Sequence, residues 1–276
     1  MKYENPPIRE GINTSEAHPL RTFLVLLAGL LVVLIASAWL LAKSGGYLAS
    51  KIPYAQEKRL AAVYSEEAPP RTDLLNYLQA LADNVGTAMQ LTADMQITVH
   101  YVDEAVENAF ATIGGNIFLY KGLLEKLPNE NALAMLIAHE IGHVKHRDPI
   151  VSLGQGASVS MGMMLLLGST DNSLLGSAGL LTQMQFSREM ESRSDEVGLM
   201  AVEKLYGHVG GALDLYAVLD EIGQSSVLEP PQLFSTHPMS KTRLKELSEL
   251  IAKKAWLQDS AVTPLPQQFS TWLSGI

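Results

Sequence analysis

The hydrophobic and polar positions of this chain follow three rhythms, and each predicts a different element. The first has no polar beat: Thr22 to Ala42 reads TFLVLLAGLLVVLIASAWLLA, without a charge. At about 1.5 Å per residue such a helix covers roughly 30 Å, one bilayer core. It is longer than the roughly 7–15-residue apolar core of a cleaved signal peptide. It also follows a long polar lead, so the run predicts a retained transmembrane anchor over 22–42. Trp39 and Tyr47 suit the membrane interface at its far end.

The second rhythm returns every three or four positions. Leu74, Leu75, Leu78, Leu81, Ala82 and Val85 predict a helix between Arg71 and Met89. Pro128 and Asn129, the latter a good N-cap, open another helix that Asp148-Pro149 closes. Ser187 to Tyr206, Tyr216 to Ile222 and the charged stretch from Met239 to Trp256 also read as helical. The third rhythm is alternation. MQITVHYVD (Met95–Asp103) predicts a strand, and NAFATIGGNIFLYKGLL (Asn108–Leu124) one or two more around Gly114-Gly115, running into a helix.

One stretch fits none of these. Pro149 to Gln185 carries a single charge, Asp171, between two apolar arms rich in Gly, Ser, Leu and Met. It reads either as buried helices packed through small residues or as a hairpin lying on, or dipping into, a membrane. The expected organisation is then a polar tail over 1–21, the anchor over 22–42 and a stalk over 43–70 ending at Pro69-Pro70. A folded domain over 71–256 and a Pro-broken tail over 257–276 follow. The fold class is α+β, mainly helical with a small β-sheet, behind an N-terminal transmembrane helix.

Composition removes some functions. The formal net charge of −9 points away from nucleic acid, and the absence of cysteine excludes disulfides, thiolate metal sites and cysteine-linked lipids. Membrane lipid is the expected partner of the anchor. Lys2, Arg9 and Arg21 before the span nearly balance Lys43, Lys51, Lys58 and Arg59 after it, so the charges choose no side.

The candidate chemistry lies in AMLIAHEIGHVKHRDP (Ala134–Pro149), an apolar helix interrupted by His139, Glu140 and His143. Histidines at i and i+4 share one face, and two imidazoles one turn apart can reach a single Zn²⁺. Glu140, beside the first ligand, has the place of a general base for the attacking water. Chance gives roughly 0.01 such H-E-x-x-H matches in a chain of this composition. A catalytic zinc site needs a third protein ligand, which without cysteine is His, Asp or Glu. In SREMESRSDEVGLMA, Glu191, Asp195, Gly198 and Val202 share a face, and Phe186, Met190, Val197 and Ala201 form an apolar stripe. Glu189, Arg193 and Glu196 lie elsewhere with the spacing of a surface ion pair. Glu191 is the expected inward carboxylate, and Asp195 the acceptor that orients a ligand histidine. Exposure of both to water is the alternative. His146, with Lys145 and Arg147, suits the negative end of the helix dipole.

HEIGH followed about fifty residues later by E-x-x-x-D-x-x-G resembles the HtpX and CaaX-prenyl-protease type of membrane-associated zinc metallopeptidase (metallopeptidase family forty-eight). The strand region before the helix and STHPMSKTRLKEL are similar to further elements of that family, and the likeness spans roughly Leu74 to Leu250. It implies a gluzincin-type domain with one Zn²⁺ per chain on His139, His143 and Glu191, and Glu140 as base. One departure is Ser194, where the family usually has Ala. The resemblance also implies that Gly114, Gly115, Asn116 and Ile117 belong to an edge strand that takes the substrate as an added β-strand. It gives His237 a place near the metal or on the transition state. Arg243 would stabilise the oxyanion or pair with an acid. The implied function is a membrane-anchored zinc endopeptidase acting on misfolded or membrane-proximal polypeptides. By analogy with single-anchor bacterial relatives, it would work at the periplasmic face of an inner membrane. The alternative is a zinc-containing chaperone-like or binding module with little turnover. A prenyl-protein peptidase fits less well, because one span cannot enclose an intramembrane chamber.

Overall fold

The computed structural model describes residues 18–62, 72–167, 186–225 and 241–275, together with Glu4, Leu233 and His237. Most of the polar lead, the second apolar arm at 168–185 and most of 226–240 lie outside the described residues. The uncharged run forms helix α1 (Pro19–Ser50). Among the described residues it is the one helix long and apolar enough to cross a membrane. It continues past Ala42 because nothing before Pro53 breaks a helix.

The segment expected to be a stalk is, over its described part, attached to the domain. After α1, helix α2 (Tyr54–Ala62) buries Tyr54, Glu57 and Ala61. Glu57 Oε1 accepts the N–H of Gly114 at 2.8 Å, and Oε2 accepts from Arg147 Nε at 2.7 Å. Arg147 also donates to the carbonyl of Ile52. A buried carboxylate with a guanidinium and a backbone donor is compensated for its lost hydration. A linker reading fails here because both partners are distant in sequence.

Helix α3 (Asp73–Ala88) is capped by Thr72, whose hydroxyl accepts from Leu75 N–H. Strands β1 (Thr98–Val102), β2 (Ala109–Thr112) and β3 (Asn116–Tyr120) form a sheet of order β1-β3-β2. β3 runs parallel to β1, with Thr98 opposite Asn116, and antiparallel to β2, with Ala109 opposite Leu119. The β2–β3 turn needs positive φ at Gly114 (78°) and Gly115 (84°), where glycine carries no steric cost. This order overturns the substrate-strand expectation. Asn116 and Ile117 lie in the central strand with both backbone edges paired, and Gly114 and Gly115 lie in its buried turn. The outer edge of β1 is partly closed by Gln79, which accepts from Val99 N–H and donates to the carbonyl of Ile97. β2 is the other edge strand, and it packs on the helix that carries the histidines.

That helix, α5 (Glu130–His146), follows the short α4 (Lys121–Leu124). Every residue of α5 from Asn131 to Val144 is buried. Around the core stand α6 (Asp148–Leu167), α7 (Arg188–Tyr206), α8 (Asp214–Ser225) and α9 (Lys241–Lys254). The C-terminal stretch also belongs to the fold, which extends the domain beyond its expected end at 256. Glu130 N–H donates to Thr263 O, and Thr263 N–H to Asn131 Oδ1. In α10 (Phe269–Leu273), Phe269 and Leu273 are buried, and Phe269 meets Tyr77 of α3 edge-on. These contacts brace the first turn of α5, about 14 Å along the axis from His139.

Candidate metal centre

Helix α5 starts at Asn129, whose side chain accepts from Ala132 N–H, and ends at Arg147 in the left-handed region. His139, Glu140 and His143 are 5%, 1% and 0% exposed. Three titratable groups at such depth require partners, and helix α7 supplies them. Ser187 caps its first turn, Gly207 ends it in the left-handed region, and between them Glu191, Ser194 and Asp195 are buried. The most buried face of α7 is thus the carboxylate face; of the expected apolar stripe, Phe186 and Ala201 are buried and Met190 and Val197 half-buried. Two glycines allow the approach. A Cβ on Gly142 would fall 2.3 Å from Ser194 Oγ, and one on Gly198 would lie 3.3 Å from His139 N. The Ser194 hydroxyl, which marked the departure from the family pattern, donates to the carbonyl of His139.

Four donors converge: His139, His143, Glu191 and His237 each direct one atom into a cluster less than 4.8 Å across. His139 Nε2 and His143 Nε2 are 3.1 Å apart, and His143 Nε2 is 3.3 Å from Glu191 Oε1. His237 Nδ1 is 3.0 Å from Glu191 Oε1 and 3.3 Å from His139 Nε2. A tetrahedral ion with bonds of about 2.0–2.1 Å separates its ligands by about 3.3 Å. The donor set therefore fits such an ion in both size and chemistry. His237 completes it, held by its N–H to the carbonyl of Leu233 at 2.7 Å.

A second layer orients the first. His139 Nδ1 lies 2.8 Å from Asp195 Oδ1, and His143 Nδ1 lies 2.9 Å from Asp148 Oδ2. Each contact fixes a ring with Nε2 turned inward. Tyr216 of α8 donates its hydroxyl to Asp195 Oδ1 at 2.6 Å. Phe186 stacks on His143, centroids 4.0 Å apart. Arg243 donates through Nε and Nη2 to Asp195, at 2.6 and 2.7 Å, and its Nη1 is 2.8 Å from Glu191 Oε2. Of its two expected roles the structure displays pairing with acids. A guanidinium fixed on two carboxylates positions them, and Arg243 also borders the cavity beside Glu140.

Arg193 pairs with Asp148 instead of with Glu189 or Glu196, while Glu189 is exposed. Asp148 is the site residue that sequence reasoning missed, having served there as a helix stop. Its signal was a carboxylate one step past the end of the histidine helix. Tyr216 gave no signal, being one apolar-face position among many. His146 and Lys145 sit in the last turn of α5, and Lys145 donates to the carbonyl of Met89. His100 is bonded to Asn116 and stacked on Phe118, away from the cluster.

The electrostatics favour a cation. Burial would push the Glu191 carboxyl up, but the charge of His237 and hydrogen bonds from His139 and His143 hold it well below the usual carboxylate range. Burial works the same way on Asp195, and hydrogen bonds from Arg243 and His139 bring it down to about 2. For His139, burial opposes charge, yet Asp195 and Glu191 raise it to about 10. Beside Glu140, a cavity of about 20 Å³ is bounded by His139, Glu140, Tyr216, Leu233, His237 and Arg243. That is room for about one water. Glu140 Oε2 has no hydrogen-bond partner among the described residues. Its Oε1 is 3.6 Å from His237 Nε2. One prediction follows from the second layer. Asp148→Asn should weaken zinc binding by about 10–100-fold, as removal of such a partner does. Competition against a chelator measures it, and an unchanged Kd would leave Asp148 as no more than a helix terminus.

Residues 71–251 match the family described as Peptidase family M48. The chain is 29% identical over 175 residues to the mitochondrial metalloendopeptidase OMA1 of Schizosaccharomyces pombe, covering 62% of this chain and 49% of that protein. It is 28% identical over 158 residues to the beta-barrel assembly-enhancing protease of Escherichia coli, covering 50% of this chain and 31% of that one. A similar enzyme from Danio rerio, metalloendopeptidase OMA1, mitochondrial, is 27% identical over 168 residues, 56% of this chain and 35% of its own. The chain thus spans no more than about half of these relatives.

Proposed function

The chain belongs to Peptidase family M48, and from that premise we propose that it is a membrane-anchored zinc endopeptidase. The observation that carries this reading is the fit of the His139, His143 and Glu191 donors to one ion, with a buried and unpartnered Glu140 oxygen beside them. Zinc held there would supply Lewis acidity toward the scissile carbonyl and make water a nucleophile near neutral pH. The chain's own residues do the rest. Asp195 and Asp148 accept at Nδ1 and so aim Nε2 of the two imidazoles inward. Arg243 and Tyr216 hold Asp195 against rotation. Glu140 Oε2 accepts the proton of the attacking water and returns it to the departing amine. The small cavity beside Glu140 is the place for that water.

His237 stands at the fourth donor position, so its imidazole must leave the ion before water or a peptide carbonyl takes that place. The substrates are polypeptides, unfolded or close to the membrane, because α1 ties the centre to a bilayer. β2, as the edge strand packed on α5, takes the role first expected of Gly114–Ile117. The catalytic domain is periplasmic on a bacterial inner membrane. A C-terminal reporter active only in the cytoplasm would refute that side.

The second reading, a zinc-containing binding module with little turnover, draws on one observation. Four protein donors around an ion are the mark of a structural site. Against it stands Glu140, a buried base that a purely structural site does not use. The test of the main reading is cleavage of unfolded casein by the full chain in lipid, with zinc near one per chain. Full zinc without cleavage by either the native chain or one freed of His237 favours the module.

A further inference from the structure

Helix α6 leaves the metal centre at Asp148 and runs antiparallel along α1. Ala49 meets Gly154, Gly45 meets Gly154 and Ser158, and Leu41 meets Gly162. Rising numbers on one helix meet falling numbers on the other, residue for residue. Apart from Leu41, the covered side of α1 is small: Gly45, Gly46 and Ala49 are buried, and Ala38 and Ala42 are half-buried. On α6 the matching residues are Gly154, Ser158 and Gly162. Small residues at four-residue spacing are how helices approach each other inside bilayers.

The register fixes a depth. The uncharged part of α1 ends at Ala42, before Lys43, and Gly162 stands against Leu41. The remaining turn and a half of α6 therefore reaches roughly 8 Å past the edge of that uncharged part. At this level Met161, Met163 and Leu165 are 63%, 45% and 80% exposed. No charge occurs between Pro149 and Leu167. The chain is back at Phe186, and both Asp148 and Phe186 touch His143.

We infer that the C-terminal part of α6 is embedded in the bilayer beside α1, with lipid acyl chains as the partner of its Met161–Leu165 face. This rests on the reading of α1 as a bilayer anchor. Its consequence is a fixed height. Asp148 lies fourteen residues before Gly162, so the centre stands at most about 20 Å from the hydrocarbon. An extended substrate, at about 3.3–3.6 Å per residue, must then emerge by about six residues to reach it. This brings the juxtamembrane segments of other membrane proteins within reach of the centre, beside unfolded chains arriving from solution.

The chain has no cysteine, so single cysteines report cleanly. Leu165→Cys, Leu34→Cys in α1 and Leu257→Cys on the exposed C-terminal stretch are compared in lipid nanodiscs, full-length, with a charged maleimide. Leu165→Cys should react at least about ten-fold more slowly than Leu257→Cys and track Leu34→Cys. A fluorophore at the same cysteine should be quenched by nitroxide-bearing acyl chains. Rapid labelling at 165 with 34 protected overturns the embedding of α6 alone. Protection at 165 without quenching means that protein covers the face, and overturns it too. Rapid labelling at 34 removes the anchor itself and the inference with it.

Discussion

Glu140→Gln is expected to reduce casein cleavage by about 10²–10⁴-fold or more while leaving zinc near one per chain. The substitution keeps the shape and removes the ability to take a proton. Glu140 is not among the four converging donors, so the metal cage stays intact. Its neighbours also predict a folded variant. Glu140 Oε2 has no hydrogen-bond partner among the described residues, so an amide of the same shape breaks no bond there. Any loss of rate is thus a loss of chemistry and not of structure. Zinc analysis, thermal unfolding and fragment release on the same preparation separate the two. If the variant cleaves at the native rate, Glu140 is not the base and the proposed mechanism falls. If it loses zinc, Glu140 has a structural share in the cage that its geometry does not suggest.

The centre was legible in the sequence because its three main donors follow helical periodicity. His139 and His143 lie one turn apart, and Glu191 shares a face with Asp195, so local geometry already brings each pair together. What could not be read were contacts made by topology. The place of β3 in the middle of the sheet depends on a parallel pairing with β1 across the β2 strand, and alternation says nothing about neighbours. Glu57 looked like one charge in a polar linker, yet it is 2% exposed because Arg147 and the Gly114 amide come to it from elsewhere in the fold. The C-terminal stretch reads only as a Pro-broken tail, because prolines interrupt its periodicity. Its hold on Glu130 and Asn131 runs through backbone groups, which composition does not reveal.

His237→Ala is expected to raise the cleavage rate, by about ten-fold or more, with zinc retained. His237 Nδ1 stands within 3.0–3.3 Å of two other donors, which is ligand spacing. A fourth protein ligand leaves no position for water or substrate carbonyl, and the space beside it holds about one water. The rate then scales with the fraction of molecules in which His237 has left that position. If that fraction is about 1–10%, removing the imidazole raises activity by about 10–100-fold. Three ligands remain, with Asp195 and Asp148 still orienting the two α5 histidines, so metal loss should be modest. The opposite result has its own meaning. A fall of about 10²–10³-fold, the size of a lost transition-state donor, with zinc intact would assign His237 to the reaction, through the Nε2 that now sits 3.6 Å from Glu140. Should the variant and the native chain both hold zinc and cleave nothing, opening the site gains no chemistry. A four-ligand centre of that kind is a structural one, and the binding-module reading replaces the peptidase.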